Sequence, residues 1–273
     1  MKLYILGNGF DIAHGFKTKY QDFRNYLIEK NRDDILYLFS DEELWSDFEY
    51  NLCALDYESY GWIVKEFKSD SEFVFEEVFN DICKEMANFL NQIDYNVSPI
   101  CYLDKDSLFF VFNYTHTLEM LYEINSNNIY QPHGSIAEYL NFNKKLILGH
   151  HKHDFLVNPN LTGPKYFNSY ENFSNYTEKP IEQIINSKEM KRFITKLEEN
   201  NIDEVVFFGF SYSVVDMDYI EKIKEVLHKD TLYTMAYYSD EDKEHAEEFA
   251  QKLSLYNYKI EKNDLILKKI GSA

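Results

Sequence analysis

Cysteine is scarce in this 273-residue chain: Cys53, Cys83 and Cys101 are an odd number and show no C-x-x-C spacing. That excludes a disulfide framework and a zinc ribbon, and a reducing cytoplasm is the expected setting. Positive charge is also short. Twenty-eight Lys and Arg stand against 47 Asp and Glu, a formal net charge of −19, so the far field repels phosphate backbones and anionic membranes. Constitutive nucleic-acid binding and membrane association are therefore not expected. No apolar run reaches membrane-spanning length, and the first, Leu3–Leu6, meets a glycine too soon for a secretory leader. What the chain does have is the composition of a globular protein, 45% hydrophobic and 27% charged. Its aromatic share of 17% is high, compatible with a self-association surface and hence with a homo-oligomer.

Short apolar runs recur at wide spacing, several ending in glycine or asparagine, the pattern of buried parallel strands separated by helices. Strands are expected near 2–6, 107–112, 128–132, 145–149, 204–209, 231–238 and 264–269. The hundred or so residues between the first two read as helical, beginning over 20–30. Phe75, Val78, Phe79, Ile82, Met86, Phe89, Leu90 and Ile93 recur there at helical steps on one face. The expected organisation is one α/β domain over 1–273 with a helical insert at 33–100. Residues 149–179 lack periodicity and read as a long loop of the kind that serves as a lid. After Phe208 strand and helix alternate, so the fold class is an open, doubly wound, mostly parallel sheet. Such sheets bind ligands at the carboxyl ends of their strands.

Four motifs fall at those ends. Gly7-Asn8-Gly9-Phe10-Asp11 follows the first strand, and paired glycines let backbone amides approach a phosphate. Ile12 stands where the full dinucleotide fingerprint needs glycine or alanine; a tight turn is the bland alternative. Lys17-Thr18 misses P-loop spacing by one residue. Asn113 follows the second strand and can bond a ribose hydroxyl or orient a water, while Thr115 or Thr117 can cap the next helix. His133, beside Gly134, titrates near neutral pH and suits a general base. Gly209, Ser211 and Asp216 follow a later strand; Asp216 is read either as a ligand contact or, with Ser213, as a capping box.

Two further segments stand apart. His150, His151 and His153 with Asp154 can in principle hold a transition metal, but adjacent histidines rarely all face one ion, and a solvated loop is the favoured reading. No metal site is expected. Trp45, Phe48 and Leu52 share a helical face and read as core, with Asp47 and Glu49 solvated.

Taken together, Leu6–Asp11, Trp45–Glu49, Phe112–Thr115, His133–Ser135 and Gly209–Asp216 resemble the bacteriophage abortive-infection family AbiH along nearly the whole chain. The order of four of these motifs is similar to that of sirtuin-like NAD-binding domains. The resemblance implies a Rossmann-like, sirtuin-like fold and an NAD site in which Asn113 and His133 carry the chemistry. The four-cysteine zinc module of sirtuins is missing, which points to a smaller substrate than a protein.

The expected function is anti-phage defence by hydrolysis of the nicotinamide–ribose bond of NAD. NAD is then substrate, and no cofactor is required. In that reading His133 is the base, Asn113 orients, the amides of Gly7 and Gly9 with Ser211 hold phosphates, and Asp11 or Asp216 binds ribose hydroxyls. The insert, the 149–179 loop or oligomerisation would gate the activity. The alternative is a non-catalytic sensor of NAD, ADP-ribose or a similar small nucleotide that signals to a partner.

Overall fold

A single sheet of six parallel strands organises the chain, β1 (Lys2–Leu6), β2 (Leu108–Val111), β3 (Ile129–Tyr130), β4 (Glu204–Phe208), β5 (Leu232–Tyr237) and β6 (Tyr258–Lys262), in the order β3-β2-β1-β4-β5-β6. The computed structural model describes residues 1–36, 38–39, 45–46, 48–52, 71–150 and 177–270. β1 lies at the centre of the sheet, in register with β2 through Leu3↔Leu108 and with β4 through Leu3↔Val205. Strand order reverses between β1 and β4. That switch point, at the carboxyl ends, is where open α/β sheets of this order take ligands.

The intervening helices are α1 (Gly9–Ala13), α2 (Tyr20–Glu29), α3 (Asp33–Leu36), α4 (Phe48–Asn51), α5 (Ser71–Leu90), α6 (Thr117–Tyr122) and α7 (Ile136–Phe142). They continue with α8 (Ile181–Ile185), α9 (Lys188–Glu199), α10 (Met217–Lys224), α11 (Asp240–Lys252) and α12 (Asn263–Ile270). Contacts divide the chain into two compact units: residues 1–17, 93–137 and 180–273, which hold the whole sheet, and residues 18–92 and 138–179.

In the sheet unit, alternate strand residues feed opposite layers. Tyr4, Leu6, Phe109, Val111, Val206 and Phe208 pack with Phe10, Leu118, Tyr122 and Ile266 from α1, α6 and α12. On the other face Phe110 meets Phe193 of α9 and Tyr219 of α10, and Phe207 meets Phe249 of α11. Helices on both faces make the sheet doubly wound, a Rossmann-like architecture. Because both faces are covered, β1, β2 and β4 are near-continuous apolar runs.

The second unit has an aromatic centre. Trp45 lies 4.7 Å from Phe39 and 5.4 Å from Phe48 between ring centroids, and Phe23 joins Phe48 to Phe89 of α5. Much of the 17% aromatic share is therefore core in both units. Arg32 grips Asp34 with two nitrogens and reaches Glu85 on α5. Lys179 is buried and paired with Glu49 at 2.5 Å. Its amide bonds to the His150 carbonyl, and the His150 amide to the Thr177 carbonyl.

Two expected strands are absent from the sheet. Residues 145–149 form no strand, and a single bridge joins His150 to Glu178. Residues 264–269 belong to α12, whose Ile266 packs into the core. Short apolar runs cannot distinguish a strand from a helix face by period. The sixth strand is instead 258–262, where Tyr258-Lys259-Ile260-Glu261-Lys262 alternates as a half-exposed edge should. Among the described residues no helix is long and apolar enough to cross a membrane.

Candidate functional site at the carboxyl edge of the sheet

The β1 and β4 ends meet through glycine. A Cβ on Gly7 would sit 2.4 Å from the Gly209 carbonyl oxygen, one on Gly9 2.5 Å from Gly209 Cα, and one on Gly209 2.2 Å from the Phe10 nitrogen. Gly209 also holds φ at +63°, which L side chains avoid. The seam is bonded as well as close: the Gly7 amide donates to the Phe208 carbonyl and the Gly9 amide to that of Gly209. These two donors are committed within the protein, which corrects the expectation that they hold phosphates. The glycines serve loop-to-loop contact at the switch point. Gly209→Ala is expected to cost about 2–4 kcal/mol, from overpacking and the left-handed backbone, read as a lowered urea midpoint. A midpoint unchanged from wild type would contradict the seam.

That seam launches α1 with Phe10 in the core and Asp11 fully buried. Asp11 is the centre of a hydrogen-bond network. Thr115 donates to its Oδ2 at 2.7 Å, Thr117 to its Oδ1 at 2.5 Å, and the Asn113 side chain is a third partner. Burial raises the Asp11 carboxyl to about 6 from 3.8, while these three bonds pull the other way. The threonines do not cap α6, whose N-cap is His116 without a side-chain bond; their hydroxyls are spent on Asp11. Asn113 is 6% exposed, and its Oδ1 has no partner among the described residues.

Phe10, Asp11, Asn113, Thr115, Thr117, Glu119, Ile129 and Gln131 are among the residues lining a recess of about 210 Å³, a volume that includes the solvent at its mouth. Glu119 is raised by burial too. Beside this recess His14 is fixed by both ring nitrogens, Nδ1 to the Phe10 carbonyl and Nε2 to the Tyr122 hydroxyl at 2.8 Å each. Burial lowers its pKa, so the neutral ring is favoured, with Nε2 accepting from Tyr122.

At the β3 end, His133 is buried against the rings of Phe112, Tyr114 and Tyr219. Its Nε2 faces Asp216 Oδ1 at 3.8 Å. Asp216 is the N-cap residue of α10 but its side chain makes no cap bond; Ser213 Oγ accepts from the Val215 amide instead. The capping-box reading of Ser213 and Asp216 is thereby corrected. Ser211 is exposed in the loop after β4, followed by Tyr212, whose hydroxyl donates to the Ala236 carbonyl.

Strand order thus sets His133, Asn113, Asp11 and Asp216 on the adjacent ends of β3, β2, β1 and β4. The side chains form two groups, Asp11 with Asn113 and His133 with Asp216. Sequence reasoning passed over Glu119 and Gln131 and gave Thr115 and Thr117 only a capping role. Two hydroxyls two residues apart beyond a strand end, opposite a buried acid, were the available signal. Of the histidine cluster, His150 is buried, while His151, His153 and Asp154, like Asp47, lie outside the described residues. No group of three potential metal ligands occurs among the described residues.

A family model described as bacteriophage abortive infection AbiH matches residues 3–238, a span that includes every group above. No curated protein matches the chain.

Proposed function

The chain belongs to the bacteriophage abortive infection AbiH family, which gives it a role in phage defence, and from that premise we propose that it acts by hydrolysing the nicotinamide–ribose bond of NAD. One observation carries this reading: a buried carboxylate, Asp11, held by three hydrogen-bond donors at the switch point of a parallel sheet.

Cleavage leaves the bond's electron pair on the pyridinium nitrogen, so nicotinamide departs neutral and positive charge develops on the ribose. A fixed anion in a closed site stabilises such charge without reorganising. Asp11 suits that task, because above about pH 6 it is ionised and already oriented. Asn113, with Oδ1 open, orients the water that adds to the ribose carbon. His133 takes the water's proton, and Asp216 Oδ1, 3.8 Å away, favours the resulting imidazolium. Ser211 remains the proposed phosphate contact. NAD is consumed as substrate.

A second reading has its own support. Asp11, Asn113 and Gln131 line a recess that opens to solvent at its mouth, where polar groups of a nucleotide can be held without any reacting water, as in a sensor's pocket. Incubating purified protein with NAD and measuring nicotinamide and ADP-ribose by chromatography separates the two. Product from wild type, reduced about 100-fold or more in Asn113→Ala and His133→Ala, is expected. Calorimetric binding of NAD without product would favour the sensor. Variants turning over at the wild-type rate would remove both residues from the mechanism.

A further inference from the structure

Gln131 follows β3 directly and has no part in the chemistry assigned above, yet its side chain spans two strand ends. Nε2 donates to the carbonyl of Asn113 at 2.7 Å and to that of Thr115 at 3.1 Å. The β2–β3 ladder has only two residue pairs, Phe109↔Ile129 and Phe110↔Tyr130. Beyond it the chain after β2 turns away, and the side-chain amide does what further ladder bonds would have done. Carbonyls in so buried a stretch need partners, so the amide is strongly held in place.

The two carbonyls belong to the two residues whose side chains reach Asp11 from the segment after β2 nearest the strand end. We propose that Gln131 is a positioning residue: by tying down the backbone of Asn113 and Thr115, it keeps the Asn113 amide and the Thr115 hydroxyl on the Asp11 carboxylate. Both of those bonds favour the ionised acid, so releasing them makes Asp11 harder to ionise. Among the described residues the other titratable groups near Asp11 are Glu119 of α6, Tyr95 of the segment before β2 and His14, the C-cap residue of Asp11's own helix, committed to Phe10 and Tyr122. His116 accepts from the Ala137 amide. Among the described residues no Lys or Arg lines the recess, so hydrogen bonds are the chief counterweight to burial. The effect on turnover rests on the NAD-cleaving reading; the effect on Asp11 does not.

The test uses full-length protein carrying carboxyl-¹³C aspartate, with the Asp11 resonance assigned by its loss in Asp11→Asn. Wild type is expected to titrate at about 6. Gln131→Leu, which keeps bulk and removes the donors, should move that midpoint up by about 1 pH unit, roughly tenfold in proton affinity. Thr115→Val, which deletes one of the bonds directly, should move it the same way. If NAD is cleaved, the acidic limb of the turnover profile should follow. A folded Gln131→Leu with an unmoved midpoint, beside a Thr115→Val that shifts, overturns the proposal. Gln131→Met serves if Gln131→Leu does not fold, and failure of both to fold would assign the amide to folding alone. A shifted midpoint in protein that leaves NAD intact would uphold the positioning role and sink the cleavage reading.

Discussion

Asp11→Asn is expected to lower the proposed NAD cleavage about 10³-fold, the upper end of what one electrostatic group costs when removed from a closed site, and to make the same protein more stable at pH 8. The two effects have one cause. Burial raises the carboxyl from 3.8 to about 6, which corresponds to about 3 kcal/mol held against the charged form. A group whose folded value lies above its unfolded one binds its proton more tightly when folded. Its penalty is therefore absent below about pH 4, grows between 3.8 and about 6, and is complete above that. Asparagine keeps the shape without the charge, and the Thr115 and Thr117 hydroxyls can rotate to suit it. A gain of about 2 kcal/mol, or about 4–8 °C in Tm, is expected at pH 8 and should vanish by pH 4. Thermal melts across that range decide it: a variant no more stable than wild type at pH 8 would mean that the carboxylate is not under strain. A sensor would show the same stability curve with no product from any variant.

The second large effect lies in the other unit. Lys179 has a side chain 2% exposed and Glu49 one 16% exposed, at 2.5 Å. Removing one partner of a buried pair strands the other charge and typically costs 3–5 kcal/mol. Lys179→Met is expected near 3 kcal/mol, the lower end, because Glu49 keeps some contact with water. Adding Glu49→Gln should restore more than half of the loss, since a neutral pair need not be desolvated as ions. Urea unfolding of the two single variants and the double closes the cycle. Simple additivity would show that the pair is not energetically coupled.

The sheet was largely legible because β1, β2, β4 and β5 are short β-rich apolar runs buried on both faces, and their spacing admits only crossover connections. β6 was not, because it is an edge strand of alternating polarity, and the apolar run after it is one face of α12. At the site, strand-end positions for Asn113 and His133 followed from the runs before them. The use of the glycines did not: a glycine required by a neighbouring backbone and one required by a phosphate look alike until the neighbour, Gly209, is seen. The threonines were misread for a similar reason. Both can cap a helix, and only the burial of Asp11, more than 100 positions away in sequence, makes it the better acceptor. Gln131 left no local signal, since both of its bonds are to main-chain carbonyls.

β1 is sandwiched between β2 and β4, so its register with β4 joins residues about 200 apart, Leu3 to Val205 among them. During synthesis at about 5–20 residues per second, the first strand therefore waits roughly 10–40 s for its second neighbour. Until Gly209 arrives, the glycine seam beside Asp11 has no second side, and Asp216 is not yet there to face His133. A nascent or prematurely terminated chain thus carries Asp11, Asn113 and His133 without the frame that brings them together. For a defence protein whose proposed chemistry is dangerous to its own cell, the topology acts as a timer, withholding the site until the chain has been made through β4, about 200 residues after β1.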